Sequence, residues 1–446
     1  MESAQKLSVQ QTPIAGLVVV KIDVHDDDRG WFKENWNRER MIGSGLPDLG
    51  PVQNNISFNR NRGTTRGFHA EPWDKYISVG SGSVFGAWID LRSGVGFGKT
   101  YFQAIDPSVA VFVPRGIANA FQTLEDNTVY TYLVNDHWSP EAKYVNVNLA
   151  DPTLEIDWPI ALADAVISKK DLHHPALSDV EPIAPKKTLI IGAGGQLGTA
   201  LRAIMPTADA LDLPEFNIAK PEHLSKVPWK EFDVVINASA FTNVDGAETI
   251  EGRREAWAIN AHAVADLAKL AIKHRFTLVH VSTDYVFDGE DPEYDDGHKF
   301  SPLNVYGASK AAGDLTVSMS PRHYIVRTSW LIGEGKNFFT KMLELAEGGE
   351  NPSVVDDQFG RITYAKDLAA GIKNLLEGNA PFGTYNLTSD GEITTWFEQA
   401  QKVFDENGYD TGRVSPVTTA EYLYKNPKSA PRPRRSILKN SLGKFF

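Results

Sequence analysis

Tyr306 and Lys310 stand four residues apart in NVYGASK, a spacing that puts both side chains on one face of a helix. An ammonium beside a phenol favours phenolate and lowers the tyrosine pKa. Tyr306 can then act as a general acid toward a carbonyl oxygen while hydride reaches the carbon. Upstream, VHVSTDYVFDG ends an apolar run with Ser282 and Thr283, two hydroxyls able to hold the same oxygen. Tyr-x-x-x-Lys alone is common on solvated helix faces, so its weight comes from a third feature, KKTLIIGAGGQLG at 186–198. There Gly192, Gly195 and Gly198 let the backbone approach a pyrophosphate, and Gln196-Leu197 opens a helix whose N-terminus favours anions. Asp212, 20 residues beyond Gly192, can meet adenine ribose hydroxyls, with a plain surface carboxylate as the even alternative.

A second group of reactive side chains precedes this one. His69 lies in TTRGFHAE beside Arg66, Lys75 follows, and Tyr130 and Tyr132 share one face of a strand. A lone histidine is more often structural than catalytic, although its pKa suits proton transfer near neutrality. PRGIAN at Pro114 to Asn119 resembles the cupins, which hold a metal through clustered histidines. Here no histidine follows His69 two residues on, and Asn119 occupies the later histidine position. A divalent ion wants three or four convergent ligands, so no metal is expected.

Two kinds of element must position these groups. Residues up to about Pro159 carry short alternating runs between turn residues, the pattern of a β sandwich or barrel. Val84 to Asp90, Tyr101 to Ile105, Val109 to Val113 and Val129 to Val134 are its clearest strands. HPALSDVEPIAPKK, with Pro175, Pro182 and Pro185, reads as a linker, with the boundary near residues 176–186. Domains of 1–180 and 181–446 follow. Beyond the linker strands alternate with helices: Asp233 to Asn237, Thr277 to Ser282 and Tyr324 to Arg327 against Ala256 to His274, Tyr306 to Met319 and Phe338 to Glu347. That alternation indicates a doubly wound parallel sheet of Rossmann type. The 446 residues include no cysteine, which excludes disulfides and thiolate chemistry, and the net charge of −12 argues against nucleic acid as a partner. No apolar run is long enough to span a bilayer, and a cytoplasmic location is expected.

Residues 186–446 closely resemble the extended short-chain dehydrogenase/reductases, and within them the dTDP-4-dehydrorhamnose reductases. The likeness runs through INASAFTNVDGAE, STDYVFDG, PLNVYGASK, RTSWLIGEGKNFF, VVDDQFGRIT and PRPRRSIL. It implies Tyr306, Lys310 and Thr283 as catalytic residues, and Asp284, Tyr285 and Trp330 near the sugar. Gly192, Gly195, Gln196, Leu197, Asp212, Asn237, Ala238 and Ala240 would bind NADPH or NADH. Asp314 stands where that family usually has Glu. Residues 13 to about 180 resemble the dTDP-4-dehydrorhamnose 3,5-epimerases, a cupin-like jelly roll, through DDRGWFKE, QNNISFN, TTRGFHAE, VFGAWIDLR, DPTLEIDWP and SKKD. This second likeness implies His69 as base, Asp171 as its carboxylate, Tyr132 as acid and Lys75 as enolate stabiliser. Arg29, Glu34, Gln53, Asn55 and Arg66 would bind the nucleotide sugar. Ala70, Glu71, Asn119 and Trp138 depart from the family pattern.

Together the likenesses imply a bifunctional enzyme acting on a dTDP-4-keto-6-deoxy sugar, epimerised at carbons 3 and 5 and then reduced at carbon 4. A homodimer is implied, with no nucleic-acid or membrane partner. Two alternatives use the same residues: a related deoxysugar pathway of different stereochemistry, or one domain serving as a non-catalytic nucleotide-sugar module.

Overall fold

The computed structural model describes residues 6–140, 142–378 and 380–441. The chain forms two compact units, Met1–Pro185 and Lys186–Phe446. The cut falls later than residue 180, because the expected linker is largely part of the first unit. Val180 packs into a core of that unit, and Ile183 exchanges backbone hydrogen bonds with Leu91 and Ser93. Its prolines remove donors, but its apolar side chains still find a surface to cover.

The first unit is a β sandwich of two six-stranded sheets. One sheet runs in the order Ser8–Gln11, Val18–Lys21, Val109–Val113, Lys75–Ser81, Thr128–Val134 and Gln53–Asn59. The other runs Val145–Asn146, Thr64–Ala70, Ile117–Thr123, Val84–Asp90 and Thr100–Ile105, with Val166–Ile167 parallel to the Thr64–Ala70 strand. Inward residues of both sheets, among them Ile77, Val79, Val84, Trp88, Val111 and Phe121, form one core, as period-two alternation requires.

The second unit has six parallel strands in the order Asp209–Leu211, Lys187–Ile191, Phe232–Asn237, Thr277–Thr283, His323–Thr328 and Gly383–Asn386. Helices cover both faces. Ala263–His274 packs on one core, and Gln196–Ile204 with Ala365–Glu377 on the other. Since the second strand lies to one side of the first and the third to the other, the order reverses at the Lys187–Ile191 strand. A crevice beyond the carboxyl ends is expected at such a point. The helix expected over 256–274 starts earlier, at Ile250, and is interrupted by a π turn at Ala258–His262. That extra residue turns Asn260 inward, where its amide satisfies both backbone groups of Phe241 at 2.9 and 3.1 Å and donates to Ser309 Oγ at 3.0 Å. A smaller cluster around Met342, Val354, Val403 and Phe404 carries the C-terminal helices Phe338–Glu347 and Trp396–Glu406, each opened by a capping box. No helix among the described residues is long and apolar enough to cross a membrane.

Candidate active sites

Strand register assembles the site of the first unit. His69 and Asn119 are direct partners across neighbouring strands, and the Asn119 amide oxygen accepts from Lys75, which comes from the opposite sheet. The Lys75 ammonium also lies 5.9 Å from the Tyr132 ring centre, and Tyr132 pairs with Asn55. His69 Nε2 meets Asp171 Oδ1 at 3.1 Å, and Asp171 Oδ2 accepts the Gly67 amide at 3.3 Å. Asp171 comes from a far part of the chain, on a 3-10 turn that Ser168 Oγ anchors by accepting its amide. Burial pushes its carboxyl up, but the His69 bond, the Gly67 amide and the nearby imidazoles outweigh this and hold it below the usual carboxylate range. With Nε2–H donating to Asp171, Nδ1 of His69 is left to accept a proton.

Lys75 is 3 % exposed and ion-paired with Glu71. Burial lowers its pKa, and the Glu71 carboxylate opposes that fall. Glu71 therefore turns toward the lysine instead of crowding an anionic ligand. Burial, then the Glu71 charge, raises the Tyr132 phenol, which stays protonated. Tyr130, its neighbour on the same face, belongs to the core and stacks on Phe121 at 4.0 Å.

The other expected residues of this unit are more scattered. Arg66 donates to Asn59 at 3.1 Å and Gln53 to Asn55 at 2.9 Å. Arg29 stands exposed on the hairpin of Val24–Asp27 and Gly30–Lys33, closed onto Asp27 at 2.5 Å. Glu34 contacts Asn37 and Arg40 at the next helix. Neither Arg29 nor Glu34 is brought to His69 by these contacts. His174 was not anticipated: it follows Asp171 by one short turn, is buried, and lies 5.5 Å from the His69 ring centre. Only the His-His doublet after SKKD could have signalled it.

In the second unit a cleft of about 990 Å³ opens at the carboxyl ends of the strands. The glycine loop forms one wall. Gly192 has φ +81°, and a Cβ there would lie 2.6 Å from the Ser239 amide, so no other residue fits the turn. Asp212 folds back to accept from the Gly194 amide, and Gln196 ties the loop to Gly333 at 2.6 Å. A loop pressed this close to the sheet, with a helix N-terminus behind it, fits a dinucleotide pyrophosphate. Gly195, Leu197, Asp212, Ala238 and Ala240 line the same cleft. Asn237 does not. It is 1 % exposed, braces Ser239 from beneath at 2.6 Å and contacts His280 at 3.2 Å.

The opposite wall carries Tyr306 on the helix Val305–Val317, whose cap Asn304 accepts from Gly307 at 2.7 Å and donates to the Pro431 carbonyl at 2.8 Å. Thr283 caps the turn Asp284–Val286 and bonds Asp284 at 3.0 Å. The expected lowering of the Tyr306 pKa is not what the structure gives. Burial and the Asp284 charge raise it, against a hydrogen bond from Thr283. Lys310 points elsewhere, donating to the Val281 carbonyl at 2.6 Å and lying 3.4 Å from His280 Nε2. Burial brings Lys310 down to about 8 and Asp284 up to about 6. Ser282 lines the cleft with Thr283, and its buried hydroxyl lies close enough to Asp314 to favour that carboxylate's charge. Asp314 itself is buried and paired with Arg327 at 3.1 Å.

Tyr285 meets Tyr306 edge to face at 5.8 Å, and Arg432, held to Asp245 at 3.0 Å, reaches the same wall. Trp330 adopts φ +43°, an uncommon backbone for a bulky residue. Its ring stacks on Trp396 at 3.8 Å and leaves no room for a Cβ at Gly360. Trp396, at the start of a capped amphipathic helix, carried no signal separating it from a core residue.

Residues 186–444 match the family model of the RmlD substrate binding domain, and residues 11–179 that of dTDP-4-dehydrorhamnose 3,5-epimerase. A Streptococcus pyogenes protein named RmlC homolog is 52% identical over 180 residues, covering 39% of this chain and 90% of that one. The dTDP-4-dehydrorhamnose reductase of Aggregatibacter actinomycetemcomitans is 37% identical over 271 residues, covering 56% of this chain and 90% of that one. Among solved structures, the dTDP-4-dehydrorhamnose reductase of Bacillus anthracis in complex with NADP superposes with a TM-score of 0.53 at 34% identity, over 59% of this chain and 92% of that one.

Proposed function

Since the chain belongs to the RmlD substrate binding domain family through its second unit and to the dTDP-4-dehydrorhamnose 3,5-epimerases through its first, we propose that it takes dTDP-4-dehydro-6-deoxy-D-glucose to dTDP-L-rhamnose. It is an epimerase–reductase fusion of dTDP-L-rhamnose synthesis, and its reductase step uses NADPH. The observation that carries the residue roles is that each unit gathers a proton-transfer set from distant segments: His69 on an ionised Asp171, and Tyr306 with Thr283 beside a dinucleotide cleft.

In the first unit His69 Nδ1 removes the protons at carbons 3 and 5, made acidic by the 4-keto group between them. Asp171 fixes the ring and stabilises the imidazolium that forms. Lys75 faces the growing enolate oxygen, and the protonated Tyr132 returns a proton from the other face. In the second unit the glycine loop, Gln196, Leu197, Ala238 and Ala240 hold the cofactor, and the nicotinamide supplies hydride to carbon 4 when bound. Burial keeps the Tyr306 proton in place until the developing alkoxide takes it. Thr283 positions that oxygen, Lys310 offsets the resulting phenolate, and Asp284, Tyr285, Trp330 and Arg432 contact the sugar nucleotide. Deuterium uptake at carbons 3 and 5 in heavy water, lost in His69→Ala, tests the first assignment. Retention of NADPH binding with loss of turnover in Tyr306→Phe tests the second.

A homodimer through the β unit accounts for its exposed apolar edge. Ile56 and Phe58 on the edge strand Gln53–Asn59, and Phe32 on the projecting hairpin, are 69, 55 and 70% exposed. An uncovered apolar edge strand invites a partner, and a second copy supplies one. Sedimentation of the intact chain and of Phe58→Asp checks this, a dimer and a monomer being the expected results.

A further inference from the structure

We propose that His69, Asp171 and His174 form an inhibitory divalent-metal site of the zinc class in the β unit. One ligand atom from each lies within 4.8 Å of the others. Asp171 Oδ1 is the shared corner, 3.1 Å from His69 Nε2 and 3.7 Å from His174 Nε2. An ion bonded at about 2.0–2.1 Å in tetrahedral geometry sets its donors about 3.3 Å apart. The first pair meets that spacing, the second needs a shift of under half an ångström, and the two imidazole nitrogens, within 4.8 Å of each other, have to close up on the ion.

His174 supplies the independent observation. Its side chain is 6% exposed, and neither ring nitrogen has a partner in hydrogen-bonding geometry, although the Val147 backbone lies close enough to favour a proton there. A buried imidazole without a satisfied partner is costly, and one aimed at a carboxylate already held by a second imidazole is the arrangement a metal satisfies. The His69 side chain is 36% exposed, leaving a face open for water as fourth ligand. Two neutral imidazoles and one carboxylate suit Zn²⁺ or Co²⁺ better than Mg²⁺.

The consequence for proton transfer follows from the tautomer. The ion replaces the proton shared by His69 Nε2 and Asp171, and that proton passes to water. With Nε2 metallated, the remaining ring proton of neutral His69 must sit on Nδ1. The lone pair that would abstract a substrate proton is then gone. Epimerisation stops while the second unit keeps working.

Titrating the intact chain with Co²⁺ reads binding without any turnover. One equivalent should give the visible bands of a tetrahedral ion, displaced by Zn²⁺ and abolished by EDTA. Stoichiometric Zn²⁺ should abolish deuterium uptake into the sugar and leave ketone reduction unchanged. His174→Ala should lose the bands, need more than about 10-fold more Zn²⁺ for inhibition, and epimerise normally in EDTA. His174→Gln, which keeps the volume, gives the same reading if the alanine variant folds poorly. Absence of bands in the intact chain, or bands and inhibition unchanged in both variants, overturns the proposal. Bands without any epimerase activity would leave the metal site standing and remove the epimerase reading instead.

Discussion

Lys75 and Lys310 are both buried lysines of a proton-transfer site, Lys75 over the Tyr132 ring and Lys310 one helical turn from Tyr306 in the chain, yet they are compensated differently. Lys75 has a carboxylate in contact, Glu71, and an amide oxygen from Asn119. Lys310 has no ion-pair partner among the described residues. It donates to the Val281 carbonyl, and Asp314 favours its charge only through space. The tyrosines differ as well. Glu71 helps to keep Tyr132 protonated, and Asp284 does the same for Tyr306. Burial sets both acids and a nearby carboxylate adds to each, but only the first unit places that carboxylate in contact with its lysine. An enolate oxygen at Lys75 meets a cation that already faces the Glu71 carboxylate. A phenolate forming at Tyr306 meets one that gives up its proton readily.

The largest expected effects separate the two units completely. His69→Ala should lower carbon-bound deuterium exchange by at least about 10³-fold and leave reduction of ready-made dTDP-4-dehydro-L-rhamnose unchanged; Tyr306→Phe should do the reverse. If either variant damages both activities, the division of labour is wrong. Asp171→Asn keeps the contact but loses the charge that fixes the ring, and a drop of roughly 10²–10⁴-fold in epimerisation is expected, without loss of folding. A native thermal transition alongside near-normal epimerisation would remove Asp171 from the base.

The lysine contrast predicts different responses to pH and to mutation. Lys310 is charged below about 8 and loses its proton as pH rises through that value, so reduction at saturating substrate should fall about tenfold per unit on the alkaline side. A reductase profile flat to pH 10 would show that the charge is not used. Glu71→Gln leaves Lys75 buried without its counter-charge. A loss of about 3 kcal/mol in unfolding free energy of the first unit is expected, together with weaker epimerisation. Urea unfolding followed by tryptophan fluorescence reads it, and an unchanged midpoint would mean that the pair contributes nothing net. Smallest is Asp212→Asn. Removing one carboxylate at the glycine loop should lower the KM for NADPH about 3-fold relative to NADH, and an unchanged ratio would place Asp212 outside cofactor discrimination.

How much of this was legible in the sequence follows the range of the interactions. The strand, glycine turn and helix at 187–204, and the Tyr306/Lys310 face, are local patterns, and the helix Phe338–Glu347 was placed to the residue. Strand positions in the first unit were readable within a residue where alternation was clean, as in Val84–Asp90 and Val109–Val113. Directions of side chains inside the sites were not. Spacing puts Lys310 beside Tyr306, but a strand carbonyl takes its proton, and the burial that raises Tyr306 is set by tertiary packing. Asn237 lies at the right place in the chain and the wrong depth. Glu71, which stood out in the sequence only as a departure from the family pattern, is neutralised by Lys75 at the start of the next strand. His174 stayed unseen because convergence of His69, Asp171 and His174 depends on a turn that no periodicity announces.

One reaction tests the central claim most directly. The intact chain, dTDP-4-dehydro-6-deoxy-D-glucose and unlabelled NADPH are combined in heavy water, and the sugar is identified by NMR. Two proton-transfer centres on one chain predict dTDP-L-rhamnose with deuterium at carbons 3 and 5 and protium at carbon 4. A reduced sugar that keeps protium at carbons 3 and 5, or an epimerised ketone that is never reduced, would contradict it.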